Sequence, residues 1–112
     1  MKKYQIFQIK DDAPNARYIK YSGLDFVKEN DLCEMEGDLC KLDSDMYDKV
    51  YEGEVETNEN EAYYVTLESL YMKFQGRKPE GYTGHSLSVS DVVVLDGTAY
   101  YVDNYGFEEI DF

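Results

Sequence analysis

The chain has 112 residues and a formal net charge of −13, from 24 acidic and 11 basic residues. This balance excludes proteins that hold phosphate backbones or anionic membranes through positive charge. Hydrophobic residues make up 43% of the chain and aromatic residues 15%, which excludes a disordered protein. We therefore expect one domain over residues 1–112 that binds neither nucleic acid nor membrane directly.

The first third of the chain predicts a strand and then a helix. Residues 3–10 alternate as a strand does, which places Tyr4, Ile6 and Gln8 on one face and Phe7 and Ile9 on the other. After a turn that contains Pro14, residues 17–21 are predicted to extend as a second strand. Ser22 is predicted to cap a helix from Gly23 to about Asn30.

The middle of the chain is acidic and predicts little regular structure before residue 47. Between Glu29 and Glu61, thirteen acidic residues stand against two basic ones, Lys41 and Lys49. This charge favours a partner with a basic surface, and it permits mimicry of DNA toward a DNA-binding protein. The acidic groups at residues 36–38 and 43–45 lack the spacing of an EF-hand. We expect a solvated acidic face there, with no metal and no cofactor.

The two cysteines predict free thiols. Six residues lie between Cys33 and Cys40, a spacing that matches neither a zinc pair nor a redox CxxC motif. With one histidine in the chain, a closed Cys/His zinc site is not expected. The sequence also shows no signal-peptide pattern and no apolar run long enough to span a bilayer. These observations predict a reducing, cytoplasmic setting.

A strand and a helix follow. Residues 47–55 alternate, and the predicted strand places Tyr47, Lys49, Tyr51, Gly53 and Val55 on one face. Thr66 is predicted to cap a helix that ends at Gly76. The residues on its apolar face are Leu67, Leu70, Tyr71 and Phe74. A polar loop over residues 56–61 precedes this helix, and a basic loop begins after it at Arg77.

The clearest element is a hairpin near the C-terminus. Asp96-Gly97 separates the apolar runs 92–95 and 98–102, and this dipeptide favours a type I′ turn. With that turn Leu95 pairs with Thr98, and the first strand is apolar on both faces. It should therefore lie at the centre of the sheet and be covered on both sides. A last short strand is predicted over residues 107–110.

The stretch from Tyr82 to Asp91 has the residue types of a nucleophilic catalytic site, because His85 stands among three serines and an aspartate. Nucleophilic catalysis also needs a base within reach of the hydroxyl, which neighbours in a turn rarely supply. No G-x-S-x-G motif is present. We therefore predict that the serines and Asp91 hydrogen-bond their own loop.

Several segments together resemble one known family. They are residues 82–94, 100–103 and 105–107, together with residues 4–10 near the N-terminus and residues 67–71 in the predicted helix. The chain resembles the YodL-like family, small domains common in bacterial, mostly Firmicute, genomes and in their conjugative and transposon-borne genes. The resemblance implies a fold and a genomic setting, but it brings no established catalytic residues.

The predicted fold is α+β: a single domain with a mostly antiparallel sheet, a C-terminal Asp-Gly hairpin and one or two short covering helices. The expected function is that of a non-enzymatic accessory factor that binds another protein. A DNA mimic, and a small-ligand or enzyme module that uses the 82–91 loop, are the alternatives. Tyrosines such as Tyr71 and Tyr100 fill the core or line a partner surface. The candidate interaction surface consists of Tyr82, His85, Ser86, Asp91, Tyr101, Asp103 and Tyr105.

Overall fold

Seven strands form two sheets in this protein, whose structure is a computed structural model that describes residues 1–58, 60–76 and 78–112. The strands are β1 (Lys2–Ile9), β2 (Glu34–Glu36), β3 (Leu39–Lys41), β4 (Tyr47–Val55), β5 (Val92–Leu95), β6 (Thr98–Val102) and β7 (Phe107–Ile110). The helices are α1 (Ala16–Ile19), α2 (Leu24–Glu29) and α3 (Tyr63–Lys73), with a 3-10 turn at Ser44–Met46. The predicted loops at 56–61 and from Arg77 lie partly outside the described residues, at Glu59 and Arg77.

The main sheet confirms the predicted α+β fold. Its five strands lie in the order β4-β1-β5-β6-β7, and every neighbouring pair is antiparallel. Strands β2 and β3 form a separate two-stranded hairpin. The predicted Asp-Gly hairpin is confirmed in its register, with Leu95 opposite Thr98 and Val92 opposite Tyr101. Asp96 and Gly97 have φ values of 51° and 84°, as a type I′ turn requires.

Strand β5 lies in the middle of the sheet and separates two apolar clusters. Val92 belongs to the cluster that α1 and α2 cover, and Val93 belongs to the cluster that α3 covers. Strand β1 divides its side chains in the same way, with Ile6 facing α3 and Ile9 facing α1 and α2. The prediction that the first hairpin strand is central and buried on both faces is therefore confirmed.

The predicted strand over residues 17–21 is wrong, because this segment forms α1. Ala16 and Ile19 are both buried, a spacing of three that suits one face of a helix rather than one face of a strand. Asn15 precedes α1 in the left-handed conformation, with φ 62°. Tyr21, with φ 66°, follows it and turns the chain toward α2. Asparagine accepts this conformation more readily than most residues do.

Both predicted helix caps need correction. Helix α2 begins at Leu24 after Gly23, and the Ser22 hydroxyl donates to the Tyr18 carbonyl instead of capping it. The Leu24 N–H is satisfied from a distant segment, by Asp103 Oδ1 at 3.1 Å. Helix α3 begins at Tyr63, three residues before the predicted cap.

Thr66 lies buried inside α3, where its hydroxyl donates to Glu61 Oε2 at 2.5 Å. The extra turn of the helix packs on the sheet, because the Tyr63 ring stacks on Tyr100 with centroids 4.9 Å apart. A contact between elements therefore decides where the helix begins. Leu67, Leu70 and Phe74 face the sheet as predicted.

Strand β4 has the predicted bounds but not the predicted face. Ile6 lies opposite Tyr51 and Phe7 lies opposite Lys49, so Val50 has no partner and forms a bulge. The bulge moves the later residues to the other face of the sheet. Tyr47 packs in the cluster under α1 and α2, whereas Val50 and Tyr51 pack in the cluster under α3.

The two cysteines form a disulfide, so the prediction of free thiols is wrong. Met35 pairs with Cys40 across the β2–β3 hairpin, which folds the chain back toward Cys33. The two Cα atoms are 6.0 Å apart, within the usual range for a disulfide. The local acidic sequence shows only weak strand and turn character and allowed no firm assignment, because the strands of this hairpin have only three residues each.

Reduction of the Cys33–Cys40 disulfide should lower the free energy of unfolding by about 2.5 kcal/mol, from the chain entropy of so short a loop. Urea unfolding with and without a reductant measures this difference. A Cys33→Ser/Cys40→Ala variant is the control, and its stability should not respond to reductant. Equal stability of the oxidised and reduced wild type would contradict the prediction.

Candidate functional site

The structure divides the predicted interaction residues among three places. Tyr82, His85 and Asp91 surround the side chain of Gln8, with Ser86 at their edge. Tyr101 lies in the core under α1 and α2. Asp103 and Tyr105 belong to the turn between β6 and β7. The predicted single surface is therefore divided between two separate regions and the core.

The first region is a buried polar cluster built around Gln8 on β1. Its Nε2 donates to the His85 carbonyl at 2.9 Å and to Asp91 Oδ2 at 3.0 Å, so both amide hydrogens are used. Its Oε1 accepts from the His85 N–H at 3.1 Å. One side chain thus holds the 82–91 loop against the edge of the sheet through three hydrogen bonds.

Asp91 is the buried acid of this cluster, with 1% of its surface exposed. Its Oδ2 also accepts from the Ser88 N–H at 2.8 Å. Burial raises the pKa of Asp91 to about 7, although the hydrogen bonds from Ser88 and Gln8 act in the opposite direction. A carboxyl group in this position can exchange a proton near neutral pH.

His85 does not complete a Ser-His-Asp arrangement with these residues. Its Nδ1 lies 2.7 Å from the Ser86 carbonyl oxygen and 3.2 Å from Gln8 Nε2. The Ser88 hydroxyl also donates to that carbonyl, at 2.7 Å. Within the described part of the chain, no hydrogen bond joins His85 to a serine hydroxyl or to the Asp91 carboxylate. The predicted bonding within the loop is confirmed for Ser88 and Asp91. It is wrong for the Ser86 and Ser90 hydroxyls, which bond to Gln75 and Tyr21 outside the loop.

Tyr82 is fixed between this cluster and the core. Its hydroxyl donates to the His85 carbonyl at 2.7 Å, and its ring stacks on Phe74 with centroids 5.2 Å apart. Burial raises the pKa of Tyr82 to about 12. The hydroxyl is therefore a hydrogen-bond donor at physiological pH, and it helps to hold the loop in place.

The rest of the loop approaches the sheet closely. The Thr83 N–H donates to the Val50 carbonyl at 3.1 Å, so the bulge of β4 serves as its attachment point. A Cβ added at Gly84 would overlap Gln8 Oε1. At the other end of the loop, the Tyr21 N–H donates to Ser90 Oγ at 3.0 Å. These contacts make the 82–91 loop part of the core.

Two of the predicted surface residues are not at the surface. Asp91 is almost fully buried, and Tyr101 has no exposed surface. The Tyr101 hydroxyl donates to the Ser22 carbonyl at 2.5 Å, and burial raises the pKa of Tyr101 above its ordinary value. Neither residue can contact a partner in the folded protein. A partner contact at the remaining residues stays a prediction.

The second region is an open groove between α3 and the β6–β7 turn. The volume of the groove is about 330 Å³. The residues that give it its character are Glu68, Tyr71, Met72, Val89, Asp103 and Phe107. The Tyr71 and Phe107 rings meet nearly at right angles, with an interplanar angle of 71° and centroids 6.5 Å apart. We call this region the α3–turn groove.

The α3–turn groove exposes apolar side chains that the fold does not use. Met72 is 72% exposed, and Tyr105, next to the lining residues of the turn, is 97% exposed. The sequence prediction included Asp103, Tyr105 and Tyr71 but not Glu68, Met72, Val89 or Phe107. One signal was present: Met72 is a large apolar residue that lies off the apolar face of an amphipathic helix.

The described residues contain no group of three or more His, Cys, Asp or Glu side chains placed to hold a metal ion. They also include no helix that is both long enough and apolar enough to cross a membrane.

A family model described as a YodL-like domain matches residues 3–112, nearly the whole chain. No curated protein and no solved structure matches the chain.

Proposed function

We propose that this protein, which belongs to the YodL-like domain family, is a non-enzymatic accessory factor that acts by binding another protein. The observation that carries this proposal is the α3–turn groove. An exposed apolar surface that adjoins a cavity is typical of a binding surface. Apart from Met1, Tyr105 and Met72 are the most exposed large apolar residues in the described part of the chain.

The charge of the protein supports a partner with a basic surface. The chain carries a net charge of −13, and no basic residue follows Lys78. An acidic surface attracts a basic partner and accelerates their encounter. The bacterial or mobile-element setting of the partner, and a cytoplasmic location, belong to this proposal. Because a disulfide is typical of oxidising compartments, thiol labelling of Cys33 and Cys40 in intact cells tests the location.

Affinity capture tests the proposal. The purified protein is immobilised and exposed to lysate of a bacterial host at low and at high salt, and each retained protein is then purified and titrated against it. We expect one protein that is retained at both salts and binds directly with saturation. An unrelated acidic protein of similar charge is the control. The proposal would be contradicted if that control retained the same proteins. It would also be contradicted if the immobilised protein itself retained none.

A second candidate function, DNA mimicry, is favoured by the acidic edge of the sheet. Strand β4 is an edge strand, and it exposes Asp48, Glu52 and Glu54. A mimic would bind DNA-binding proteins in competition with DNA, and its binding would weaken steeply with salt. Capture of basic proteins at low salt alone, with release by duplex DNA, would favour this candidate. Salt-independent binding would reject it.

A further inference from the structure

The geometry points to the α3–turn groove as a receptor for a cationic side chain, arginine or lysine, on a segment of the protein partner. This inference rests on the proposed function and adds the chemistry that the partner must present. It is carried by three features of the groove: an aromatic corner, two acidic side chains, and an apolar floor that leaves room for a long side chain.

The aromatic corner consists of Tyr71 and Phe107. Their rings are inclined by 71° with centroids 6.5 Å apart, so they form two walls of one cavity. The faces of aromatic rings attract ammonium and guanidinium groups, and several rings around one cavity form the aromatic cages that bind ammonium groups. Both rings are partly buried against the core under α3, which fixes their positions before any ligand arrives.

Two carboxylates complete the site. Asp103 Oδ1 accepts from the N–H groups of Leu24 and Asn104, which leaves Oδ2 with no hydrogen bond among the described residues. Glu68 is exposed on α3, and its carboxylate makes no hydrogen bond to the described residues. None of the described residues that line the cavity is basic. The groove therefore has acidic groups to pair with a cation and no built-in cation to occupy it.

The apolar floor explains why a protein side chain fits better than a small inorganic ion. Met72 and Val89 line the same cavity as the two acids. The methylene stem of an arginine or lysine packs against apolar surface while its head pairs with carboxylates. The cavity volume of about 330 Å³ holds one such side chain. The charge of the groove thus selects a basic segment of the partner and not an acidic one.

Methyl NMR of the intact protein tests the site without knowledge of the partner. Protein labelled with 13C at the methionine methyl groups is titrated with N-acetyl-arginine-N-methylamide, and with the corresponding methionine and glutamate compounds. We expect the Met72 methyl signal to shift with the arginine compound until it saturates. Met35, 50% exposed and outside the groove, is the internal control and should not respond. The methionine and glutamate compounds should produce much smaller shifts.

Two variants separate the charges from the rings. Glu68→Gln/Asp103→Asn removes both charges but keeps a side-chain oxygen at position 103 that can accept from the Leu24 N–H. This variant should bind arginine about tenfold more weakly. Phe107→Leu keeps an apolar side chain but removes the ring face, and it should weaken binding about threefold. Glu54→Gln/Glu56→Gln is the matched control: it removes the same amount of charge, but from β4 and from the residue just after it. It should bind arginine as the wild type does. Thermal unfolding verifies that each variant is folded.

The results separate this inference from the function on which it rests. An unmoved Met72 signal, equal shifts of all methyl groups, or wild-type affinity in Glu68→Gln/Asp103→Asn would overturn the site. If a partner is captured and Met72 does not respond, the site fails and the proposed function stands. If Met72 responds and no partner is captured, the cation site stands and the proposed function fails.

Discussion

Gly84→Ala should lower the free energy of unfolding by about 3 kcal/mol, a large effect for the addition of one methyl group. The new Cβ would overlap Gln8 Oε1 and lie 3.0 Å from Val50 Cγ1, so the Gln8 side chain must move. That movement breaks the three hydrogen bonds that Gln8 makes to His85 and Asp91. Buried groups that lose their partners add to the cost of the steric overlap.

Gly76→Ala is the matched control for this experiment. A Cβ at Gly76 meets no heavy atom within 4 Å among the described residues, its chain neighbours aside, and its φ does not lie in the left-handed region. We expect its stability to stay within about 0.5 kcal/mol of the wild type. Urea unfolding followed by circular dichroism measures both variants. A Gly84→Ala protein as stable as Gly76→Ala would show that the 82–91 loop does not depend on Gln8.

The free energy of unfolding of Asp91→Asn should rise progressively relative to that of the wild type as the pH rises from about 4 to about 8. The wild-type carboxyl group is buried, and its pKa is raised from 3.8 to about 7 in the folded protein. The folded state therefore keeps its proton at pH values where the unfolded state has lost it. The stability that this group contributes is complete below the unfolded pKa and is lost as the pH rises through the folded pKa. The full difference is on the order of 4 kcal/mol.

The comparison with Asp91→Asn isolates this group from the general repulsion in an acidic protein. Asparagine retains a side-chain oxygen that can accept from Ser88 and Gln8, but it cannot ionise. Unfolding free energies of both proteins are measured across the pH range, and the difference between them is plotted. The difference should change most steeply near the middle of this range. A difference that does not vary with pH would contradict the assignment of a raised pKa to Asp91.

The elements that the sequence predicted are those whose signals are local. The Asp96-Gly97 turn determines its own hairpin, and the strictly apolar run 92–95 predicts a central strand. The alternation in β1 identifies its two faces without reference to any other segment. In these places turn chemistry, periodicity and burial agree.

The elements that the sequence failed to predict depend on contacts between distant residues. The bulge at Val50 is stabilised by a hydrogen bond from the hydroxyl of Thr83, 33 residues later in the chain, to the Val50 carbonyl. The start of α2 depends on Asp103, 79 residues away. The polar cluster joins Gln8 to a loop more than 70 residues later. A single sign of the cluster was visible: Gln8 is polar on the face of β1 that Tyr4 and Ile6 make apolar.

The most direct test of partner binding through the α3–turn groove is a side-by-side capture experiment. Wild type, Glu68→Gln/Asp103→Asn and Glu54→Gln/Glu56→Gln are immobilised at equal density and exposed to the same bacterial lysate. We predict a protein that the wild type and the Glu54/Glu56 variant retain equally and the Glu68/Asp103 variant loses. N-acetyl-arginine-N-methylamide should also displace it. Equal retention by all three proteins, without displacement, would contradict the account.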